Sequence, residues 1–177
     1  IELKRLHAEL GQTFVFVTHD QEEALSLGTK IAVLQGGKLV QLATPSEIYH
    51  RPATRFVAEF LGKPAANTLE GEIIDGVFCS GELRVPLGDA APTRGPVVLA
   101  IRPEAVELVE ASAEGAIAMT VRVIDHVPPE RILSLARGAA TSLARTSSVT
   151  PELRAGDPVH VRLPAPALMF FAQDTGH

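Results

Sequence analysis

The chain has 177 residues, 46 % of them hydrophobic and 21 % charged, and a formal net charge of −5. That balance gives enough apolar content for one domain or two small ones and argues against a basic nucleic-acid binder. A single cysteine, Cys79, excludes an intramolecular disulfide, and no apolar run approaches the ~18 residues of a membrane-spanning helix.

Ile1 to Leu10 reads as an amphipathic helix closed by Gly11. The chain opens on Ile1 rather than Met and without a signal-peptide pattern, so the expectation is a piece cut from a longer intracellular polypeptide. Phe14 to Val17 is an apolar run expected to form a strand covered on both faces, as in a parallel sheet, and ending at His19. Asp20 then caps a helix, with Glu23 at capping-box spacing. His19 is thereby expected at the carboxyl end of a strand and at a helix N-terminus. Ligands of α/β sheets bind at the first place, and anions such as phosphate are favoured at the second. A lone imidazole there is commonly structural; the residues that follow carry the assignment.

Lys30 to Gln41 reads as strand, Gly36-Gly37 turn, strand. Thr44, Pro45 and Glu47 form a second capping-box pattern. Arg51 to Gly62 follows as a helix with Phe56, Phe60 and Leu61 on one face and Gly62 as its stop. Residue usage changes at Lys63. Up to it, seven Lys or Arg cancel seven Asp or Glu; beyond it stand nine Arg, no Lys and fourteen acidic residues. With its linker-like residues, the segment from Gly62 to Asn67 marks a boundary between residues 1–62 and 63–177. Short strands are expected over 68–74, 77–80, 82–85, 97–101, 105–109, 116–127, 131–136, 159–163 and 168–171, a spacing that suits a small barrel or sandwich.

Two stretches resemble a known family. Val17-Thr18-His19-Asp20-Gln21-Glu22-Glu23-Ala24 resembles the switch region (H-loop) of ABC-transporter ATPases, and the order of elements to Gly62 is similar to the end of their ATPase domain. Leu99-Ala100-Ile101-Arg102-Pro103-Glu104 resembles the Gly-Ile-Arg-Pro-Glu signature of TOBE domains, and Leu168 to Gly176 is similar to their final strand and turn. Together with the junction from Gly62 to Asn67, the text is similar to ATPase subunits of importers for glycerol 3-phosphate, maltose and other sugars. Ala100 stands where the family has Gly, and Val127-Pro128-Pro129-Glu130 replaces a Leu-Gly-rich stretch, so a reshaped hairpin is expected there.

The resemblance implies a fold class: an α/β C-terminal part of a P-loop ABC ATPase core over 1–62, then an all-β OB-like TOBE regulatory domain over 63–177. It also implies a role. The parent would be a cytoplasmic ATPase subunit held at the inner membrane by permease subunits, working as a homodimer with ATP and Mg²⁺. A regulatory protein docking on the TOBE domain would be a further partner. His19 would be both the catalytic and the cofactor-binding residue, hydrogen-bonding a γ-phosphate oxygen. No metal ligand and no nucleic-acid partner are implied.

The chain lacks a Gly-rich phosphate loop with its Lys and Ser or Thr, since Gly36-Gly37-Lys38 is a hairpin turn without a following helix. The family's Q-loop, signature motif, Walker B carboxylate and catalytic Glu would lie upstream of Ile1. By itself the chain is expected to bind no cofactor and to be inactive, and the unpaired strand over 14–17 should pair with a second chain or repack. Arg102 and Glu104 read as structural, and His126 beside Asp125 as part of a solvated loop. His50, His160 and His177 show no ligand spacing with one another or with Cys79. The alternative is an OB-like module that binds a small oxyanion or a regulator protein. Binding of single-stranded nucleic acid is disfavoured by the acidic charge and by Phe78, Phe170 and Phe171 as the only aromatics beyond Lys63.

Overall fold

The structure, a computed structural model, describes residue 5 and residues 9–88, 94–147 and 152–173. It divides into two compact units, Ile1–Lys63 and Pro64–His177.

The helix expected over 1–10 lies largely outside the described residues. Phe14 to Val17 does not form the expected strand: it is irregular, and Val15 and Val17 are 91 % and 90 % exposed. The reason is physical. A strand covered on both faces needs neighbours, and every strand pair among the described residues is antiparallel and lies elsewhere. The α/β part of the fold-class reading therefore reduces to a hairpin with short helices, and the apolar run has not repacked onto them.

The remaining elements of this unit fall where their sequence places them. Helix α1 (Gln21–Leu27) is followed by β1 (Ile31–Gln35) and β2 (Lys38–Ala43), an antiparallel pair turning at Gly36-Gly37. Helix α2 (Pro45–His50) carries the full capping box: Thr44 Oγ1 accepts from the Glu47 amide, and Glu47 accepts from the Thr44 amide at 3.1 Å. Helix α3 (Arg55–Phe60) is capped by Thr54. Val57, Ala58 and the following Leu61 are buried; of the expected face of Phe56, Phe60 and Leu61, Phe56 packs partly against the core and Phe60 is 43 % exposed, the two rings stacked with centroids 5.6 Å apart. Ile31, Val33, Ile48, Val57 and Leu61 make the core. Gly62 stops the helix with φ +105, a conformation that side chains other than glycine's disfavour.

The second unit is all-β, as expected. β3 (Asn67–Ile74), β4 (Val77–Ser80), β5 (Leu83–Pro86), β6 (Gly95–Ile101) and β12 (Met169–Ala172) form one five-stranded sheet in the order β12-β6-β3-β4-β5. The other comprises β7 (Glu107–Val109), β8 (Ile117–Val127), β9 (Glu130–Arg137), β10 (Ala140–Ser147) and β11 (Pro158–Arg162), in the order β10-β9-β8-β11-β7. Both sheets feed one core, with Phe78, Leu99 and Ile101 from the first and Val121, Leu133 and Leu135 from the second. Strand β10 has no counterpart among the expected elements. Its Thr, Ser and Ala residues give no hydrophobic alternation, and it is held as the strand beside β9 by an eight-residue register. At the Pro-containing hairpin Val127 pairs with Glu130 across a Pro128-Pro129 turn.

Two details bind the β unit together. Asn67, the last residue of the boundary segment, is buried and clasps β10: its Oδ1 accepts from the Leu143 amide at 2.6 Å, and its Nδ2 donates to the Leu143 carbonyl at 2.8 Å. At Gly71 the β3 backbone approaches β4 so closely that a Cβ would lie 2.4 Å from the Cys79 carbonyl and 2.6 Å from the Phe78 ring.

Candidate functional site

His19 stands immediately before the N-cap of α1, with its side chain exposed. The loop that carries it is organised by its neighbours. Asp20 Oδ1 accepts from the amides of Glu22 at 2.9 Å and Glu23 at 3.4 Å. Those two bonds, the Glu22 one foremost, hold the Asp20 carboxyl below the usual carboxylate range. Thr18 Oγ1 accepts from the Asp20 amide at 2.9 Å and donates to Glu23 Oε2 at 2.8 Å. The box anticipated between Asp20 and Glu23 is therefore widened by one hydroxyl: Glu23 reaches Thr18, and Thr18 supplies the acceptor for the Asp20 amide.

This arrangement corrects the expectation of an anion seat at the helix start. The helix is seven residues long, and the Glu22 and Glu23 amides that a phosphate would need are already bonded to the protein's own carboxylate. With the 14–17 run irregular, His19 also does not end a strand. What the loop offers is an exposed imidazole between two residues whose side chains are fixed by hydrogen bonds.

Two contacts had no counterpart in the sequence reading. Gln21 Oε1 accepts from the Gly62 amide at 2.9 Å, and Lys63 Nζ lies 3.9 Å from Asp20 Oδ1. Both join the His19 loop to residues about forty positions away, a separation that no local spacing reveals. The remaining sequence-singled residues are dispersed. His126 is exposed near the end of β8, opposite Arg131; His50 ends α2, edge-on to Tyr49 at 5.2 Å; and His160 lies on β11. His177 lies outside the described residues. In the Ile101-Arg102-Pro103-Glu104 stretch, Arg102 is only 4 % exposed and Pro103 opens a 3₁₀ turn that packs against β10, whereas Glu104 is exposed. That geometry fits the structural reading of Arg102.

No protein-family model matches the chain. Among individual proteins, it is 41 % identical over 181 residues to the sn-glycerol-3-phosphate import ATP-binding protein UgpC 1 of Rhizobium johnstonii, covering 99 % of this chain and 48 % of that protein. UgpC of Yersinia pestis is 37 % identical over 181 residues, covering 99 % of this chain and 50 % of the relative. The chain is thus similar, along nearly its whole length, to import ATP-binding proteins. It spans about half the length of the curated relatives it matches, and that half is their C-terminal part. The xylose/arabinose import ATP-binding protein XacK of Haloferax volcanii is 36 % identical over 187 residues, covering 99 % of this chain and 48 % of XacK. Among solved structures, the cytoplasmic molybdate-binding protein ModG with molybdate bound overlays at a TM-score of 0.48 and 15 % identity, over 70 % of this chain and 99 % of ModG.

Proposed function

We propose that this chain is the C-terminal portion of an ABC-importer ATPase subunit, coupling ATP hydrolysis to uptake of a solute of the glycerol 3-phosphate or sugar class. In this reading residues 1–62 complete the ATPase domain and residues 63–177 form the TOBE-like regulatory domain. The subunit works as a homodimer on the cytoplasmic side of permease subunits, and a regulatory protein docks on the β domain. The observation that carries the reading is the 41 % identity sustained over 99 % of the chain, in a protein that presents His19 just before the cap of α1. No described helix is long and apolar enough to cross a membrane.

The residues present do not by themselves fit an ATP–Mg²⁺ complex. A triphosphate needs a cradle of free backbone amides and a lysine, and here the Glu22 and Glu23 amides are occupied by Asp20. His19 can supply one hydrogen bond to a phosphate oxygen, with its place fixed by Thr18 and Asp20. In the full-length subunit with its permease, His19→Ala is expected to lower ATP turnover by at least about a hundredfold. The 177-residue chain alone should release no phosphate above buffer. Turnover by that chain, abolished in its own His19→Ala variant, would overturn the reading of an incomplete site.

A further inference from the structure

The end of the first unit is built as a fixed post. Leu61 is buried in the core at 1 % exposure, and Gly62 turns the chain in a conformation reserved for glycine. The Gly62 amide, which no longer has a helical acceptor to use, donates to Gln21 Oε1 at 2.9 Å. Lys63 then returns its ammonium toward the Asp20 carboxylate. Gln21 is the first residue of α1, two positions from His19, and Asp20 is its cap. The peptide that leaves the first unit is thus tied to Asp20, which caps the helix behind the imidazole, and to Gln21, the first residue of that helix.

We infer that Gln21 is a positioning residue: its amide oxygen latches the exit segment at Gly62 to the His19 loop, so that displacing the exit displaces the imidazole. This rests on the proposed role of His19. The acceptor, not the shape of the side chain, is the working part. The Gly62 amide is partly buried, and without Oε1 it loses its bond. The Lys63 contact is solvent-exposed and contributes direction more than strength.

The test separates acceptor from shape in the full-length subunit. Gln21→Met keeps the length and removes the acceptor, whereas Gln21→Glu keeps an oxygen that can receive the Gly62 amide. With MgATP, Gln21→Met is expected to lower kcat by about three- to tenfold, the worth of one hydrogen bond, with KM for ATP unchanged within about twofold. Gln21→Glu should retain kcat within about twofold. In parallel, amide hydrogen exchange on the 177-residue chain should show Gly62 exchanging about tenfold faster in Gln21→Met and at the wild-type rate in Gln21→Glu. Equal kcat in Gln21→Met and wild type, or equal loss in both variants, overturns the latch. If His19→Ala leaves turnover intact while the exchange pattern follows expectation, the proposed role of His19 fails and the Gln21–Gly62 bond stands without it.

Discussion

Phe14-Val15-Phe16-Val17 and Val97-Val98-Leu99-Ala100-Ile101 are runs of similar composition with opposite outcomes. The first is irregular, with exposures from 44 % to 91 %; in the second, the four residues from Val98 to Ile101 are at 0 % and Val97 is at 8 %. Local preference does not separate them, since both are rich in β-branched or aromatic residues. Partners do. The second run lies in β6, hydrogen-bonded to β3 on one side and β12 on the other, and its Val97, Leu99 and Ile101 side chains enter the core that both sheets share. A strand is a property of the sheet that receives it, and similar apolar letters stay irregular outside the described sheets.

Substitution breaks the comparison most directly. Leu99→Ala should cost about 2–5 kcal/mol in denaturant unfolding of the β unit, through lost burial plus a cavity. Val15→Ser should move stability by less than about 0.5 kcal/mol. Comparable losses at the two sites would show that the 14–17 run is packed after all. Next in size is Gly71→Ala. Its added methyl meets the Cys79 carbonyl, a backbone atom that cannot swing aside, so a loss of about 1–3 kcal/mol is expected by thermal melting.

The unequal outcomes also explain what was legible. The hairpin around Gly36-Gly37, the Thr44 box and the strands of the β unit other than β10 were readable because each rests on residues within a few positions of one another. Strand β10 was not, because Ala140 to Ser147 carries no apolar period and is a strand only beside β9. The 14–17 run failed for the converse reason, an apolar stretch that lies in none of the described sheets. At the His19 loop, the Asp20 cap was legible and the Gln21–Gly62 bond was not.

Asn67 tests whether the β unit depends on such long-range ties. Asn67→Ala removes both bonds to Leu143 and leaves its partly buried amide and carbonyl without them, with an expected loss of about 1–3 kcal/mol. The smallest effect concerns acid. Glu47 is held below its ordinary value by the Thr44 hydroxyl and then the Thr44 amide, and Asp20 by the Glu22 and Glu23 amides. Lowered values in the folded chain mean that these carboxylates stabilise it above the ordinary carboxylate range, and that the contribution fades as pH falls through the lowered values. On acidification, amide signals of the first helical turns of α1 and α2 should change before those of β6. Glu47→Gln should remove the α2 part of that dependence.

The uncovered 14–17 run has a practical consequence for the chain in solution. From Thr13 to Thr18 six residues pass without charge, proline or glycine, the composition that stacks readily into cross-β ribbons when presented to other copies. The shelf life of a concentrated sample would therefore be governed by these few exposed side chains, however firmly the β sandwich holds.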